Sequence, residues 1–100
     1  MVKHVILWQL KDEYNEEQKA EIKAGIKAGL ESLAGKIPGL VEIKVQVDRL
    51  ASSNAEVMLD STFESEEALK AYQAHPLHRE IAVNLVRPSV ESRLSFDYNI

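Results

Sequence analysis

The pattern of apolar and polar positions divides the chain into alternating strand and helix segments. Residues 2–10 are rich in Val, Ile and Leu and predict a strand. Asn15 is followed three residues later by Gln18, a capping-box pattern that predicts the start of a helix. Apolar positions then recur every three or four residues up to a Pro-Gly turn, at Ile22, Ile26, Leu30, Leu33 and Ile37. We therefore expect a long amphipathic helix that ends at Pro38 and Gly39.

Strand and helix signals alternate in the same way along the rest of the chain. Three further strands are predicted, at residues 40–48, 55–63 and 90–98. Ser65 is expected to cap a second helix. His75 and Pro76 break that helix, and Pro76 suits the first turn of a further short helix, which Pro88 ends.

The order strand, helix, strand, strand, helix, strand predicts one α+β domain that spans residues 1–100. This βαββαβ order matches the ferredoxin-like arrangement, in which the helices cover one face of an antiparallel four-stranded sheet. The first and third strands then lie in the centre of the sheet, and the second and fourth strands form its edges. No repeat, linker or change of composition indicates a second domain.

The two faces of the predicted sheet differ in polarity. The face that packs against the helices is expected to hold the strongly apolar sides of the strands, namely His4, Ile6, Trp8, Val41, Ile43, Val45, Val47, Val57, Leu59, Phe63, Leu94 and Phe96. The opposite, open face has Val5, Leu7 and Met58 at its centre and polar residues around them, which is typical of a protein interface. We expect this face to pack on a second copy in a two-fold homodimer. The alternative is a monomer that exposes a few apolar residues.

Composition excludes several classes of function. The chain is 45% hydrophobic and 28% charged, as in ordinary globular domains, and it contains no cysteine for disulfides, thiol catalysis or thiolate metal sites. A net charge of −4 gives no support to nucleic-acid binding. The N-terminal apolar run is too short to span a membrane and lacks the cleavage site of a signal peptide. A cytoplasmic protein without a membrane or nucleic-acid partner is therefore expected.

The candidate chemical groups are histidines and a tyrosine. Tyr72, His75 and His78 cluster around the predicted helix break, and His4 lies on the helix-facing side of a central strand. An imidazole can act as a general base near neutral pH, and a phenol can stabilise a developing enolate. In a small apolar cleft these groups suit a carbonyl-containing ligand. Alternatively, His75 bonds the backbone groups that Pro76 frees, and His4 is a satisfied core histidine.

No cofactor and no metal site are predicted. The sequence contains neither a phosphate-binding P-loop nor the G-x-S-x-G motif that surrounds a nucleophilic serine. His75 and His78 offer two imidazoles without a neighbouring carboxylate at metal-binding spacing. Zinc needs three or four protein ligands, for which only His4 could be a third.

Several segments resemble the stress-responsive A/B barrel (Dabb) domain family. The most specific are the element Tyr-x-x-His-Pro-x-His, which ends at His78, and the closing pair Asp97-Tyr98. The resemblance spans essentially the whole chain and implies a ferredoxin-like fold that dimerises through its sheets into an α/β barrel. Many family members are uncharacterised or known as stress-induced proteins. One plant member is a polyketide cyclase, and the resemblance implies that its catalytic Tyr and His match Tyr72 and His78 and that a further pocket His matches His4.

Three functions stay open on this basis. The first is a homodimeric Dabb protein of unresolved, stress-related role with a small apolar ligand cleft. The second is a cofactor-free cyclase, lyase or isomerase, in which His78 is the base, Tyr72 donates to the oxyanion, and His4 and His75 orient them. The third is a structural or stress-protective protein without chemistry.

Overall fold

The strands and helices follow one another in the predicted order in the computed structural model, which describes every residue from Met1 to Ile100. The strands are β1 (Val2–Leu10), β2 (Leu40–Gln46), β3 (Val57–Phe63) and β4 (Val90–Asn99). The helices are α1 (Glu16–Glu31), α2 (Glu66–Ala74) and α3 (Pro76–Ile81), and α3 continues into one π-helical segment, Ala82–Val86. None of the helices has the length and apolar composition needed to cross a membrane.

The sheet is antiparallel throughout, with the strand order β2-β3-β1-β4. The predicted α+β class and ferredoxin-like arrangement are therefore confirmed, with β1 and β3 in the centre. Alternate residues of β1 are buried beneath the helices, from Val2 through Trp8 to Leu10. The hydrophobic core thus lies between one face of the sheet and the helical layer.

The predicted starts of α1 and α2 are confirmed. The Asn15 side chain accepts a hydrogen bond from the Gln18 N–H, and the Gln18 side chain accepts one from the Asn15 N–H. The Ser65 hydroxyl accepts from the Ala68 N–H at 3.1 Å. These bonds satisfy N–H groups that have no partner inside their own helices, so the local sequence sets where α1 and α2 begin.

The predicted end of α1 is wrong, although its apolar stripe is buried as expected. Leu33 and Ile37 belong to the core but lie in turns beyond the helix, which ends at Glu31. Gly35 has φ +76°, a left-handed conformation that an α-helix does not contain. The periodicity of apolar residues therefore continues past the last helical hydrogen bond.

The turn before β2 depends on a glycine. Gly39 has φ +83°, and a Cβ atom placed there would lie 2.5 Å from the Cβ of Ala68 in α2. Only glycine allows this turn and α2 to approach so closely. This contact helps to hold α2 against the sheet, where it carries Tyr72 into the core.

The predicted orientation of β4 is wrong. Leu94 and Phe96 were expected to face the helices, but they lie on the open face and are 70% and 69% exposed in the single chain. The antiparallel register sets Phe96 opposite Val5 and Leu94 opposite Leu7. Alternation separates the two sides of a strand but does not show which side faces the core. The open face is consequently more apolar than the sequence pattern indicates.

One position of β2 also differs from the prediction. Val41 was expected to face the helices and is 50% exposed instead. The pairing of β2 with β3 shifts between Leu40 and Glu42, so that Val41 occupies a bulge. Beyond the bulge, Ile43 and Val45 are buried as predicted.

The outer edge of β2 is capped by side chains of α1. The Val45 N–H donates to Glu31 Oε2 at 2.9 Å, and Lys27 Nζ donates to the Val45 carbonyl at 2.7 Å. Lys27 and Glu31 also form an ion pair with each other at 2.9 Å. The hydrogen bond from the Val45 N–H is the main cause that lowers the pKa of the Glu31 carboxyl, and the hydrogen bond from Lys27 is the second. Two side chains thus take the place that a further strand would otherwise occupy.

Candidate active site

A cleft of about 520 Å³ lies between the sheet and the helical layer, within the size range of small-molecule sites. Its apolar wall is formed chiefly by Ile6, Trp8, Leu30, Leu59 and Val86. Its polar groups come mainly from His4, Gln73, His78, Arg87, Glu91 and Arg93. The apolar and polar groups of the cleft therefore come from both the sheet and the helical layer.

His4 reaches the cleft from the central strand β1 and is held by Asp97 of β4. The two residues are opposite each other in the β1–β4 register, and His4 Nδ1 lies 2.5 Å from Asp97 Oδ1. An ionised carboxylate only accepts hydrogen bonds, so Nδ1 carries the hydrogen of this contact. Asp97 holds the His4 ring in this way, and its own side chain is 42% exposed.

The sequence did not predict the contact between Asp97 and His4, because the wrong side of β4 was expected to face the helices. The apolar residues of β4 were expected to face the helices, which would point Asp97 away from them. The correct register places Asp97 beside His4. The position of Asp97 within the family motif was the one signal that could have found it.

Tyr72 and His78 lie together across the helix break. Their ring centroids are 4.2 Å apart, and the centroid of His4 is 6.5 Å from that of Tyr72. Phe63 packs on Tyr72 with a centroid distance of 4.8 Å. Tyr72 is fully buried in this cluster, whereas His78 and His4 line the cleft. The structure therefore brings three of the four candidate residues together and places Tyr72 out of direct contact with the open space.

Two polar atoms of this cluster have no hydrogen-bond partner: the Tyr72 hydroxyl and His78 Nδ1. An unsatisfied buried polar group costs about 1–3 kcal/mol. A bound ligand that supplied a partner would recover part of that cost. Burial raises the pKa of the Tyr72 phenol far above its ordinary value, so that the hydroxyl stays protonated.

His78 is a neutral imidazole near neutral pH. Burial is the main cause that lowers its pKa below the ordinary value, and the Gln73 backbone partly opposes this shift. The positive charges of Arg87 and Arg93 lower the pKa of His78 further, as does His4. A neutral ring has a lone pair that can accept a proton, which is the first requirement for a general base.

His75 lies outside the cleft and caps α3. Its Nδ1 accepts a hydrogen bond from the Leu77 N–H at 3.1 Å, and its own N–H donates to the Tyr72 carbonyl at 3.1 Å. Pro76 follows as the first residue of the helix. The structure therefore gives His75 a contact at the helix junction and none with the cleft.

Two arginines of the cleft were not singled out from the sequence. Arg93 lies on β4 opposite Trp8, and Arg87 follows the π-helical segment. The same error in the orientation of β4 hid Arg93, because its side of the strand was expected to face away from the helices. Glu91 is the acidic residue that lines this cleft. No group of three or more His, Asp or Glu side chains is arranged to hold a metal ion.

The fold and the cleft define a ferredoxin-like α+β domain with a ligand-sized space between its sheet and its helices. The family model of the stress responsive A/B barrel domain matches residues 2–100. The chain therefore belongs to this family, and the resemblance seen in its motifs is confirmed. The particular likeness to the plant polyketide cyclase stays a prediction.

Solved structures of similar proteins share the fold. A Bacteroides fragilis protein of unknown function, described as dimeric and ferredoxin-like, is 29% identical, with 99% of this chain and 95% of that chain covered and a TM-score of 0.91. The Arabidopsis thaliana protein At3g17210 is 30% identical over 100% of this chain and 95% of its own, with a TM-score of 0.76. A hydroxynitrile lyase from Passiflora edulis is 22% identical over 99% and 92%, with a TM-score of 0.73, and shows the fold alone. No curated protein sequence matches the chain.

Proposed function

We propose that this protein is a homodimer whose cleft binds a small carbonyl compound and catalyses proton transfer, without a cofactor, at the carbon next to the carbonyl. The observation that carries the proposal is the cleft itself, where His78 and the Asp97-bound His4 meet an apolar wall. A ligand of this kind needs an apolar surface for its body, a base for its proton and donors for its oxygen.

His78 is the proposed base. Its neutral ring takes a proton from the carbon next to the carbonyl, and the electron pair of the broken C–H bond forms an enolate. In the isomerisation of a β,γ-unsaturated ketone, the enolate is conjugated with the C=C bond, and protonated His78 returns the proton to the γ-carbon. In a ring closure, the enolate carbon attacks a second carbonyl of the same molecule, and the new alkoxide takes the proton from His78. Both routes leave the enzyme in its starting protonation state.

Tyr72 is proposed to stabilise the enolate oxygen, and His4 to orient the ligand. The Tyr72 phenol stays protonated and has no partner, so its hydrogen is available for a negatively charged oxygen. Because Tyr72 is fully buried beside His78, this bond requires a side-chain movement when the ligand binds. His75 is proposed to take no part in the chemistry, since it lies outside the cleft and caps the helix that carries His78.

The homodimer is supported by the open face of the sheet. Leu94, Phe96 and Tyr98 of β4 extend the apolar centre that Leu7 forms on β1, and all four side chains are exposed in the single chain. Soluble monomers rarely leave a large contiguous apolar patch uncovered. The Bacteroides fragilis relative is described as dimeric, which favours the same assembly here.

The chemistry is tested by deuterium exchange into a panel of simple ketones that includes 4-phenylbutan-2-one, followed by proton NMR in D₂O. We expect the wild-type protein to accelerate exchange next to the carbonyl. The variant His78→Gln should lose about 100-fold or more of this rate, the usual contribution of a general base. Tyr72→Phe should lose part of it, because the ring stays and the donor is removed.

His75→Gln is the matched control, since this histidine lies outside the cleft. Its exchange rate should equal that of the wild-type protein. A wild-type rate no faster than buffer across the panel would contradict proton transfer and favour the structural or stress-protective interpretation. Full activity in His78→Gln would show that another group is the base.

A further inference from the structure

We infer that the ligand of the cleft is an organic carboxylate, whose anionic group binds Arg87 and Arg93 while its apolar part packs on Ile6 and Trp8. This inference rests on the proposed function, which supplies the carbonyl group of the ligand. It adds a carboxylate group to the same ligand. The charge preference itself depends only on the two arginines and the cleft that they line.

Neither Arg87 nor Arg93 forms an ion pair within the chain. Four lysines each lie within 4 Å of a carboxylate, in the pairs Lys3–Asp60, Lys19–Glu56, Lys27–Glu31 and Lys44–Glu42. The chain carries 16 acidic and 12 basic residues, so carboxylates are in excess. Two unpaired guanidinium groups in one cleft are therefore free to bind an anion from outside the chain.

The local charge of the cleft is positive although the whole chain is negative. Arg87 and Arg93 face one carboxylate, Glu91, among the lining residues. Asp97, the acidic neighbour of the cleft, is already bound to His4. Both arginines also act on His78, whose pKa they lower. Both arginines and the proposed base line the same cleft, so an anion bound by the arginines would lie near His78.

A carboxylate fits this site better than a phosphate. A guanidinium group binds either anion through two parallel hydrogen bonds. Phosphates are usually bound in addition by backbone N–H groups at a helix N-terminus or in a glycine-rich loop. The cleft contains neither, because the N-terminus of α3 is capped by His75 away from it. The predominantly apolar wall suits a hydrocarbon body attached to a small anionic group.

The charge preference is tested by calorimetric titration with two probes of nearly equal shape, 4-phenylbutanoate and 4-phenylbutanamide. We expect the carboxylate to bind at least tenfold more tightly than the neutral amide. Arg87→Gln and Arg93→Gln should each weaken carboxylate binding about three- to tenfold, the modest range expected of exposed charges. Neither variant should change binding of the amide. Arg79→Gln removes the same charge from an exposed residue of α3 outside the cleft and should leave both probes unaffected.

The titration of His78, followed by the NMR signals of its ring, gives a second measurement that does not require catalysis. The groups around the ring are His4 of β1, Tyr72 of α2, Arg87 and Arg93. A carboxylate between the arginines offsets their charge, so 4-phenylbutanoate should raise the pKa of His78 and 4-phenylbutanamide should not.

Equal affinity for the two probes, or no binding of 4-phenylbutanoate at millimolar concentration, would overturn the inference. So would an Arg79→Gln effect as large as that of the cleft variants. Tighter binding of 4-phenylbutyl phosphate than of 4-phenylbutanoate would make the ligand a phosphate instead. Loss of the charge preference leaves the exchange of neutral ketones as a separate test of proton transfer. Conversely, the protein could bind the carboxylate and show no deuterium exchange that depends on His78. That result would contradict the proposed function and leave the charge preference intact.

Discussion

Substitution of Phe96 by Ser should break the proposed dimer without unfolding the chain. Phe96 is 69% exposed in the single chain. An aromatic side chain buries about 200 Å², so about 140 Å² is available per subunit. At about 25 cal/mol per Å², the two copies of Phe96 in a two-fold dimer contribute about 7 kcal/mol. Buried area converts only partly into affinity, and half of this value corresponds to a rise in Kd of roughly 300-fold.

Sedimentation equilibrium over a range of concentrations measures this change directly. The wild-type protein should have twice the mass of one chain at micromolar concentration, and Phe96→Ser should have the mass of one chain. Leu77→Ser is the matched control, because Leu77 is an exposed apolar residue of α3, away from the open face. Its dimer should have the wild-type Kd. Circular dichroism should show the same secondary structure in all three proteins.

Two results would refute the reasoning. A wild-type protein that stays monomeric at micromolar concentration would show that the open face is not covered by a second copy. A Phe96→Ser dimer with the wild-type Kd would show that the two copies associate through another surface. In either case the apolar residues of β4 would need a different explanation.

Three further results are expected. Gly25→Ala should raise the free energy of unfolding by about 0.5–1 kcal/mol, since nothing lies within 4 Å of the added Cβ. Gly29→Ala should raise it less, because the added Cβ would lie 2.9 Å from Leu85. Urea unfolding of the two variants measures the difference. His75→Ala should cost about 1 kcal/mol through loss of the α3 cap, with unchanged binding of 4-phenylbutanoate. Because burial lowers the pKa of His78, the unfolded chain binds a proton first, so wild-type stability should fall as pH drops from about 6.5 to the folded-state pKa. His78→Gln should lack this decline in urea unfolding at successive pH values, and an identical decline in the variant would assign it to other groups.

Local sequence signals determined most of the fold. The caps at Asn15 and Ser65 and the turn at Gly39 each act through nearby backbone groups, so a short stretch of sequence is enough to predict them. Residues such as Leu33 and Phe96 behave differently. Their apolar character predicts that they are covered, but tertiary contacts decide whether the backbone is helical and which partner covers them.

The candidate site was predictable to the extent that its residues carry chemistry and lie close together in sequence. Tyr72 and His78 are one helix break apart, and they pack together. Asp97 contacts His4 and Arg93 lines the cleft only because β4 pairs with β1, which lies near the other end of the chain. A single error in which side of β4 faces the core removed both from view, because a strand's two sides exchange together.

The capped edge of β2 has a consequence for how copies of this chain can assemble. A sheet with two free edges can extend without limit when the β2 edge of one molecule pairs with the β4 edge of the next. Lys27 and Glu31 occupy the outward N–H and C=O of Val45, so this head-to-tail pairing meets an obstacle at β2. Contacts that remain, between two open faces or between two β4 edges, are related by a two-fold axis and close on themselves. The side chains of α1 therefore favour a finite particle over a growing fibre.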